Sequence, residues 1–594
     1  MVNKDNIKLD FSRDSLFPEI ALTRLRDSYM DKNETSPQQA LARAAAAFAD
    51  DDAHAQRIYD YASKQWFMFS TPILSNGGTT KGLGISCFLQ NVPDSLEGIT
   101  AHYTESTFLT AKGGGLGGYW GNLRTAGKGS KSNGMIPFLK VMDALMLAGN
   151  QTDTRRGSYA AYLDVSHPEI EEFVEIRDAN GDHSRRALGI GFHHAVVMTD
   201  DFMLCVEQDT DWQLIDPHSK EVKKTIRARE LWIKILTTRR KTGEPYMMWS
   251  DTANRALADH IKEKGLRIFQ SNLCNEIYLP TGKDQFGKNR TAICCLSSLN
   301  AERYDEWKLE AEQVIEDIIR FLDNVLQHFI ENAPPEAHQA VYSATRTRDL
   351  GLGLMGFHSY LQSKMIPYES QAASDVNNEI FYTMHKYAKA ASRKLGNEKG
   401  YYPDAFGENG YVHRARNAHV LAVAPNASSA ILCGNTSAST EPWRANAFKH
   451  TTLSGSVLTK NKYLIQVLEA SGNNTDEVWR SIIGHDGSVQ QLTCLTDHEK
   501  LVFKTFFELD QLWVVEHAAQ RQKHLDQGQS VNLAFDVDTP AKTINEVHMS
   551  AWKKELKGLY YLKSRAVKSN ERISVIKSRE TVDPEMSGCA MCEG

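Results

Sequence analysis

Ser271-Asn272-Leu273-Cys274-Asn275-Glu276-Ile277 sets an amide, a thiol and a carboxylate at alternate positions. In an extended segment Asn272, Cys274 and Glu276 point the same way, because successive Cβ atoms of a strand alternate between its faces. On one surface an amide can hold a hydroxyl, a carboxylate can accept a proton, and a thiol can attack or transfer hydrogen. A half-buried strand with a solvated polar face gives the same pattern, so the reading depends on what else the chain carries.

Outward from this stretch, the other cysteines come first. The nine stand at positions 87, 205, 274, 294, 295, 433, 494, 589 and 592. In a long chain whose opening MVNKDNIKLD has no apolar signal core, they do not form a disulfide framework. Cys87 and Cys294 each lie in a short apolar, strand-like run, where a cysteine also serves as a plain core residue. Cys294 and Cys295 are adjacent, so only one can face a site, and spacing does not choose between them. Cys589-x-x-Cys592 is a spacing shared by redox dithiols and zinc sites, but zinc needs two more ligands and none lies close in sequence. From about Ile576 onward apolar periodicity is lost, which suggests a mobile tail. A dithiol there could reach an internal disulfide and then an external reductant; a zinc half-site or an inert tail is the other reading.

Lys112-Gly113-Gly114-Gly115-Leu116-Gly117-Gly118 permits close backbone approach to a ligand, and Pro425-Asn426-Ala427-Ser428-Ser429 offers small donors suited to phosphate. Neither is a Walker A or dinucleotide fingerprint. Tyr560-Tyr561 reads by itself as amphipathic packing. Residues 36–66 read as helical, behind a Ser-Pro pair, and 70–134 as strands and tight turns. Residues 311–332 have the apolar spacing of a core-facing helix that ends before Pro334-Pro335. Helical patterns around 377–395 and 497–523 alternate with apolar runs such as 420–423, which makes the class α/β.

At 594 residues the chain can bury a deep site. Its net charge of -6, with lysines and arginines scattered, argues against a nucleic-acid partner. No stretch approaches the ~18 consecutive apolar residues of a membrane helix, and the expectation is a cytoplasmic protein.

Taken in order, the Ser86-Cys87 run, Asn272-x-Cys274-x-Glu276, the Cys294 run with its Leu-Ser-Ser-Leu-Asn, Pro425 to Ser429, Tyr560-Tyr561 and the terminal Cys-x-x-Cys resemble the catalytic (large, alpha) subunit of class I ribonucleotide reductases. The resemblance runs from about Ser70 to the C-terminus. It implies a ten-stranded α/β barrel with an inner finger loop. The expected division is a helical N-terminal segment (1–68), the barrel with its specificity-site loops (69–575) and a flexible redox tail (576–594). Relatives often begin with an ATP-cone domain, and none is expected here.

The resemblance also implies roles. Cys274 becomes a thiyl radical that abstracts the 3′-hydrogen of a ribonucleotide, Glu276 takes the 3′-hydroxyl proton and Asn272 helps position the ribose. Cys87 and Cys294 supply the reducing equivalents, Cys294 being preferred to Cys295 by the register of the motif after it. Cys589 and Cys592 reopen the resulting disulfide. Tyr561 then Tyr560 relay the oxidising equivalent to Cys274. Thr71, Ser86, Gly115, Ala427, Ser428 and Ser429 are the implied substrate contacts, with Ala427 standing where many relatives carry an acidic residue. Asp94, Ser95, Leu96, Arg124 and Lys131 are the implied effector contacts, with a second loop near Arg177–Arg186. Implied partners are a separate metal-containing, radical-generating small (beta) subunit, thioredoxin or glutaredoxin as reductant, a ribonucleoside diphosphate substrate, and a deoxynucleoside triphosphate or ATP as effector. A homodimer is expected when effector is bound. No metal or cofactor is expected to bind this chain directly. The alternatives are an adenosylcobalamin-dependent class II enzyme, which the tyrosine pair disfavours, and a thiol–disulfide oxidoreductase or non-catalytic nucleotide-binding protein, which the intact Asn272, Cys274 and Glu276 disfavour.

Overall fold

The computed structural model describes residues 2–126, 132–149, 157–452 and 455–565. Three N-terminal helices, α1 (Glu19–Ser28), α2 (Pro37–Phe48) and α3 (Asp52–Ser63), precede the sheet. The helical segment expected over 36–66 is made of α2 and α3. The Ser36 side chain and Gln39 form a capping box at the start of α2, and Asp51 caps α3 by accepting from the His54 amide.

Nine strands form the main sheet: β1 (Phe67–Phe69), β2 (Cys87–Asn91), β3 (Gly115–Tyr119), β4 (Ser158–Asp164), β5 (Phe192–Met198), β6 (Tyr246–Trp249), β7 (Ala292–Asn300), β8 (Leu350–Met355) and β9 (Gly558–Leu559). Strands β2 to β6 run parallel in chain order, with β9 antiparallel on β6. Strand β7 also pairs in parallel with β8. The two parallel halves meet at one antiparallel seam, where Ala292, Ile293 and Cys294 of β7 face Leu89, Phe88 and Cys87 of β2. The parallel strands are buried on both faces, as sheets covered by helices are. The apolar run at 420–423 contributes isolated bridges, Leu352 to Leu421 and Val423 to Gln529, rather than a full strand.

Helices cover the outside. Next to β3 come α4 (Leu96–Ala111) and α5 (Ile136–Ala148). The expected amphipathic helix is α6 (Ala311–Asn332), which buries Val314, Ile315, Ile318, Ile319 and Leu322 and packs against α7 (Gln371–Lys399). The pattern over 497–523 is interrupted: a short helix (Asp497–Val502) and a 3-10 turn (Phe506–Glu508) precede the helix Gln511–Gln522. A capping box at Thr505 and Glu508 imposes the break.

From Gly115 onward the glycine-rich run forms strand β3. A Cβ on Gly117 would lie 2.2 Å from the Ser271 carbonyl oxygen, and one on Gly115 would lie 2.9 Å from the Leu273 side chain. The glycines of β3 therefore let residues 271–273 press against the sheet from inside.

Candidate active site

Residues 268–280 form neither helix nor strand, and the extended conformation expected for 272–276 is not adopted. The chain turns sharply instead: the Asn272 side-chain oxygen accepts the backbone N–H of both Glu276 and Ile277 at 3.1 Å. Asn275 takes the left-handed conformation, with φ of 64°, which asparagine tolerates better than most residues. Local side-chain bonds of this kind compete with a strand ladder, and here they win.

The turn is then fastened from all sides. The Tyr162 hydroxyl donates to the Asn272 carbonyl at 2.6 Å, and Ser271 Oγ donates to the Ile277 carbonyl at 2.8 Å. From a segment the sequence reading had not singled out, the Gly528 amide donates to the Glu276 carbonyl at 2.8 Å. Ser530 Oγ donates to the Cys274 carbonyl at 2.6 Å and lies 3.3 Å from Glu276 Oε2. Asn272, Cys274 and Glu276 are all buried. Burial pushes the Glu276 carboxyl up to about 7, against hydrogen bonds from Asn272 and Ser530 that favour its charged form. A carboxyl poised there can take or give a proton near neutral pH.

Across the seam, Cys87 and Cys294 occupy directly opposed antiparallel positions. Such pairs hold their Cα atoms about 4.5–5.5 Å apart, inside the span of a disulfide. Asn272 Nδ2 donates to Cys87 Sγ at 3.6 Å, which ties the turn to this pair. Gln527 Nε2 donates to Cys294 Sγ at 3.4 Å. Cys295 points the other way, into the main apolar core, so tertiary structure separates the two adjacent cysteines that spacing left open.

Tyr560 and Tyr561 follow β9, with ring centroids 4.3 Å apart. Tyr560 is buried in the same apolar cluster as Cys274, and Tyr561 packs at its edge. Tyr246 of β6, which the sequence reading had not marked, lies 4.7 Å from the Tyr560 ring and 4.9 Å from the Tyr561 ring. The Tyr561 hydroxyl is 3.3 Å from His193 Nδ1, which is in turn 2.6 Å from Glu244 Oε1. Burial alone would raise the Glu244 carboxyl, yet His193, His194 and Arg177 hold it below the ordinary carboxylate value.

The implied phosphate contacts meet α1. Thr71 opens a helical turn just after β1, with its hydroxyl 3.2 Å from that of Tyr29, the residue that ends α1. Ser428 lies in the short helix Ala427–Leu432 with Ser429, and its Oγ accepts from Arg24 Nη2 at 2.7 Å. Ser86 is buried beside Cys87, and its carbonyl accepts the Gly115 amide at 2.6 Å. No sequence signal marked Arg24, one of two arginines on helix α1. Asp94 and Arg124 form an ion pair at 2.9 Å, with His218 3.4 Å from Asp94. Ser95 is used in capping α4, and Leu96 is exposed at its start. Lys131, Cys589 and Cys592 lie outside the described residues.

Three buried thiols, a buried carboxyl and a tyrosine cluster packed with one of those thiols are the constellation of an enzyme of cysteine-based redox chemistry on a small substrate. The family profile described as the ribonucleotide reductase barrel domain matches residues 85–414 and 405–562, and that of the ribonucleotide reductase all-alpha domain matches residues 15–82. The ribonucleoside-diphosphate reductase large subunit of Invertebrate iridescent virus 3 is 42% identical over 99% of this chain and 100% of that one. A relative from Frog virus 3 (isolate Goorha) is 47% identical over 91% of this chain and 92% of its own. The solved Actinobacillus ureae class Id ribonucleotide reductase alpha subunit superposes with a TM-score of 0.81 at 33% identity, covering 94% of this chain and 98% of that chain. The chain belongs to the ribonucleotide reductase large-subunit family.

Proposed function

We propose that this chain reduces ribonucleoside diphosphates to 2′-deoxyribonucleoside diphosphates, as the catalytic subunit of a class I ribonucleotide reductase. The observation that carries the reading is the convergence of Cys274, Glu276 and the opposed Cys87 and Cys294 through Asn272, whose side chain bonds both the turn and Cys87. A separate radical-bearing subunit supplies the oxidising equivalent. Tyr561 and Tyr560 pass it inward, and Cys274 as a thiyl radical takes the 3′-hydrogen of the substrate. Glu276 accepts the 3′-hydroxyl proton. Cys87 and Cys294 give up two electrons as the 2′-hydroxyl leaves as water, closing to a disulfide. Asn272 acts chiefly by framing the turn, since its oxygen is spent on backbone amides.

Thr71, Ser86, Gly115 and residues 427–429 hold the substrate, with Arg24 added as a cation for its phosphates. Asp94 and Arg124 hold a nucleoside triphosphate effector, with Ser95, Leu96 and Lys131 beside them. Residues 576–594 act as a redox tail, in which Cys589 and Cys592 reopen the site disulfide and are themselves reduced by thioredoxin or glutaredoxin. Helices α4 and α5 expose Leu96, Phe108, Val141 and Leu147, which supports an effector-linked homodimer through that face.

The test is deoxycytidine diphosphate formation from CDP with a dithiol and an effector triphosphate, comparing the cognate small subunit, adenosylcobalamin, and neither. Turnover is expected with the small subunit alone and is lost in Cys274→Ala, Tyr560→Phe and Tyr561→Phe. Turnover with adenosylcobalamin would make this a class II enzyme.

A further inference from the structure

Residues 527–530 bond Cys274, Glu276 and Cys294, and one side chain among them, Gln527, bonds a reacting sulfur. Gln527 is fully buried and anchored. Its amide N–H donates to the Leu421 carbonyl at 3.2 Å. Its own carbonyl accepts from Lys557 Nζ at 2.7 Å, and the same ammonium holds the Asp526 carbonyl at 2.6 Å. With the backbone fixed, Gln527 Nε2 is aimed at two acceptors, the Leu350 carbonyl at 2.9 Å and Cys294 Sγ at 3.4 Å.

The two opposed thiols therefore sit in different surroundings. Cys87 Sγ faces Asn272 Nδ2 at 3.6 Å and Ser86 Oγ at 3.9 Å, on the side of the Cys274 turn. Both cysteines belong to one apolar cluster with Leu89, Ala292, Leu296 and Ala422, but at Cys294 strand β8 crowds the sulfur: a Cβ on Gly351 would come within 2.9 Å of it. Burial pushes the Cys294 thiol well above the ordinary thiol range, and the Gln527 amide opposes this by favouring the thiolate.

Reduction of a disulfide proceeds by attack of a thiolate on one sulfur while the other departs as thiolate. Its rate rises as the departing thiolate becomes more stable, and it depends on access to the sulfur attacked. Both sulfurs are buried, Cys294 the more completely at 1% exposure against 5% for Cys87, and the N–H of Gln527 offsets part of what burial costs the departure of Cys294 as a thiolate. We propose that Gln527 is a catalytic residue of the reductive half of the cycle: it makes Cys294 the leaving thiolate, so that the incoming thiol attacks Cys87. The inference rests on the Cys87–Cys294 disulfide proposed above.

In this step the incoming thiolate forms an S–S bond to Cys87 Sγ. The bond between Cys87 and Cys294 breaks, and its electron pair goes to Cys294 Sγ. The second thiolate of the reductant then attacks the reductant sulfur now bonded to Cys87 and expels Cys87. The two site thiolates take up the two protons that the dithiol gave up. The dithiol is oxidised to its disulfide, and the site gains two electrons.

The test uses the full chain with Cys589→Ser and Cys592→Ser, so that an added thiol meets the site directly. Prereduced protein is turned over with the small subunit, CDP and effector without reductant, and the Cys87–Cys294 crosslink is confirmed by peptide mass mapping. 2-Mercaptoethanol is then added, and the adduct is trapped with acid and mapped. Dithiothreitol is used in parallel to time the reduction.

The expected adduct is on Cys87, with Cys294 free. Gln527→Met and Gln527→Glu, close to glutamine in shape, are expected to slow reduction by about tenfold or more and to spread the adduct over both cysteines. Rates are scored only on protein that has formed the crosslink, so misfolded variants do not count. An adduct on Cys294 in the parent, or parental rates in both variants, overturns the role of Gln527 while leaving the disulfide standing. Turnover that leaves no Cys87–Cys294 crosslink overturns the disulfide assignment, and this inference with it.

Discussion

Glu276 shows how one buried carboxyl is set for its task and what that costs. Burial pushes it up to about 7, so its proton-accepting form is lost as pH falls through that value. In the first turnover of prereduced enzyme, rapid-quench measurement is expected to show an acid limb centred near pH 7, falling about tenfold per pH unit below it. Glu276→Gln is expected to lower that rate by about 10²-fold or more. The same shift has a sign for stability. A carboxyl whose folded-state value lies above its ordinary 4.5 leaves stability unaffected at lower pH and removes it as pH rises from about 4.5 to about 7. Glu276→Gln should therefore raise the unfolding free energy at pH 8 by on the order of 3 kcal/mol, with the gain vanishing at pH 4. Urea denaturation at the two pH values checks this, and an equal effect at both would show that the carboxyl is not desolvated.

At the scale of elements, strand β3 and the 271–277 turn are made for each other. The 2.2 Å that separates a Gly117 Cβ from the Ser271 carbonyl, and the 2.9 Å from the Asn272 Cα, fall on backbone that cannot rotate away. Gly117→Ala should shift the turn and carry Cys274 with it. A displacement of about 1 Å at a reacting group can cost ~10²-fold in rate, so kcat is expected to fall by that order while the circular dichroism spectrum is unchanged. Undiminished kcat would mean that the turn is not positioned by β3. The glycine run was conspicuous in the sequence, but its purpose was not: closeness to a ligand and closeness to another part of the same chain call for the same residue.

Across the whole molecule, the N-terminal helices do more than cover the barrel. Helix α1 places Arg24 on Ser428 and brings Tyr29 to Thr71, so its position links two stretches implied in substrate binding that lie more than 350 positions apart. Loss of a charge-assisted contact made equally to substrate and transition state raises KM and leaves kcat alone. Arg24→Ala is expected to raise KM for CDP about tenfold, with kcat within about twofold. A fall in kcat with unchanged KM would place Arg24 outside the substrate site.

The sequence by itself determined the chemistry available: one thiol between an amide and a carboxylate, further cysteines in strand-like runs, and a tyrosine pair. It also determined the long helix over 311–332, because apolar spacing is a local property. It did not determine the shape of the 272–276 turn, where alternation argued for a strand and the Asn272 side chain imposed a bend instead. Nor did it choose Cys294 over Cys295 by spacing, which the antiparallel seam with β2 decides. Gln527, Ser530, Tyr246 and Arg24 carried no local signal, since each acts on atoms brought close only by the tertiary fold. Residue type sets what a group can do. Which groups meet depends on long-range pairing of strands and loops, and no short stretch of sequence encodes that.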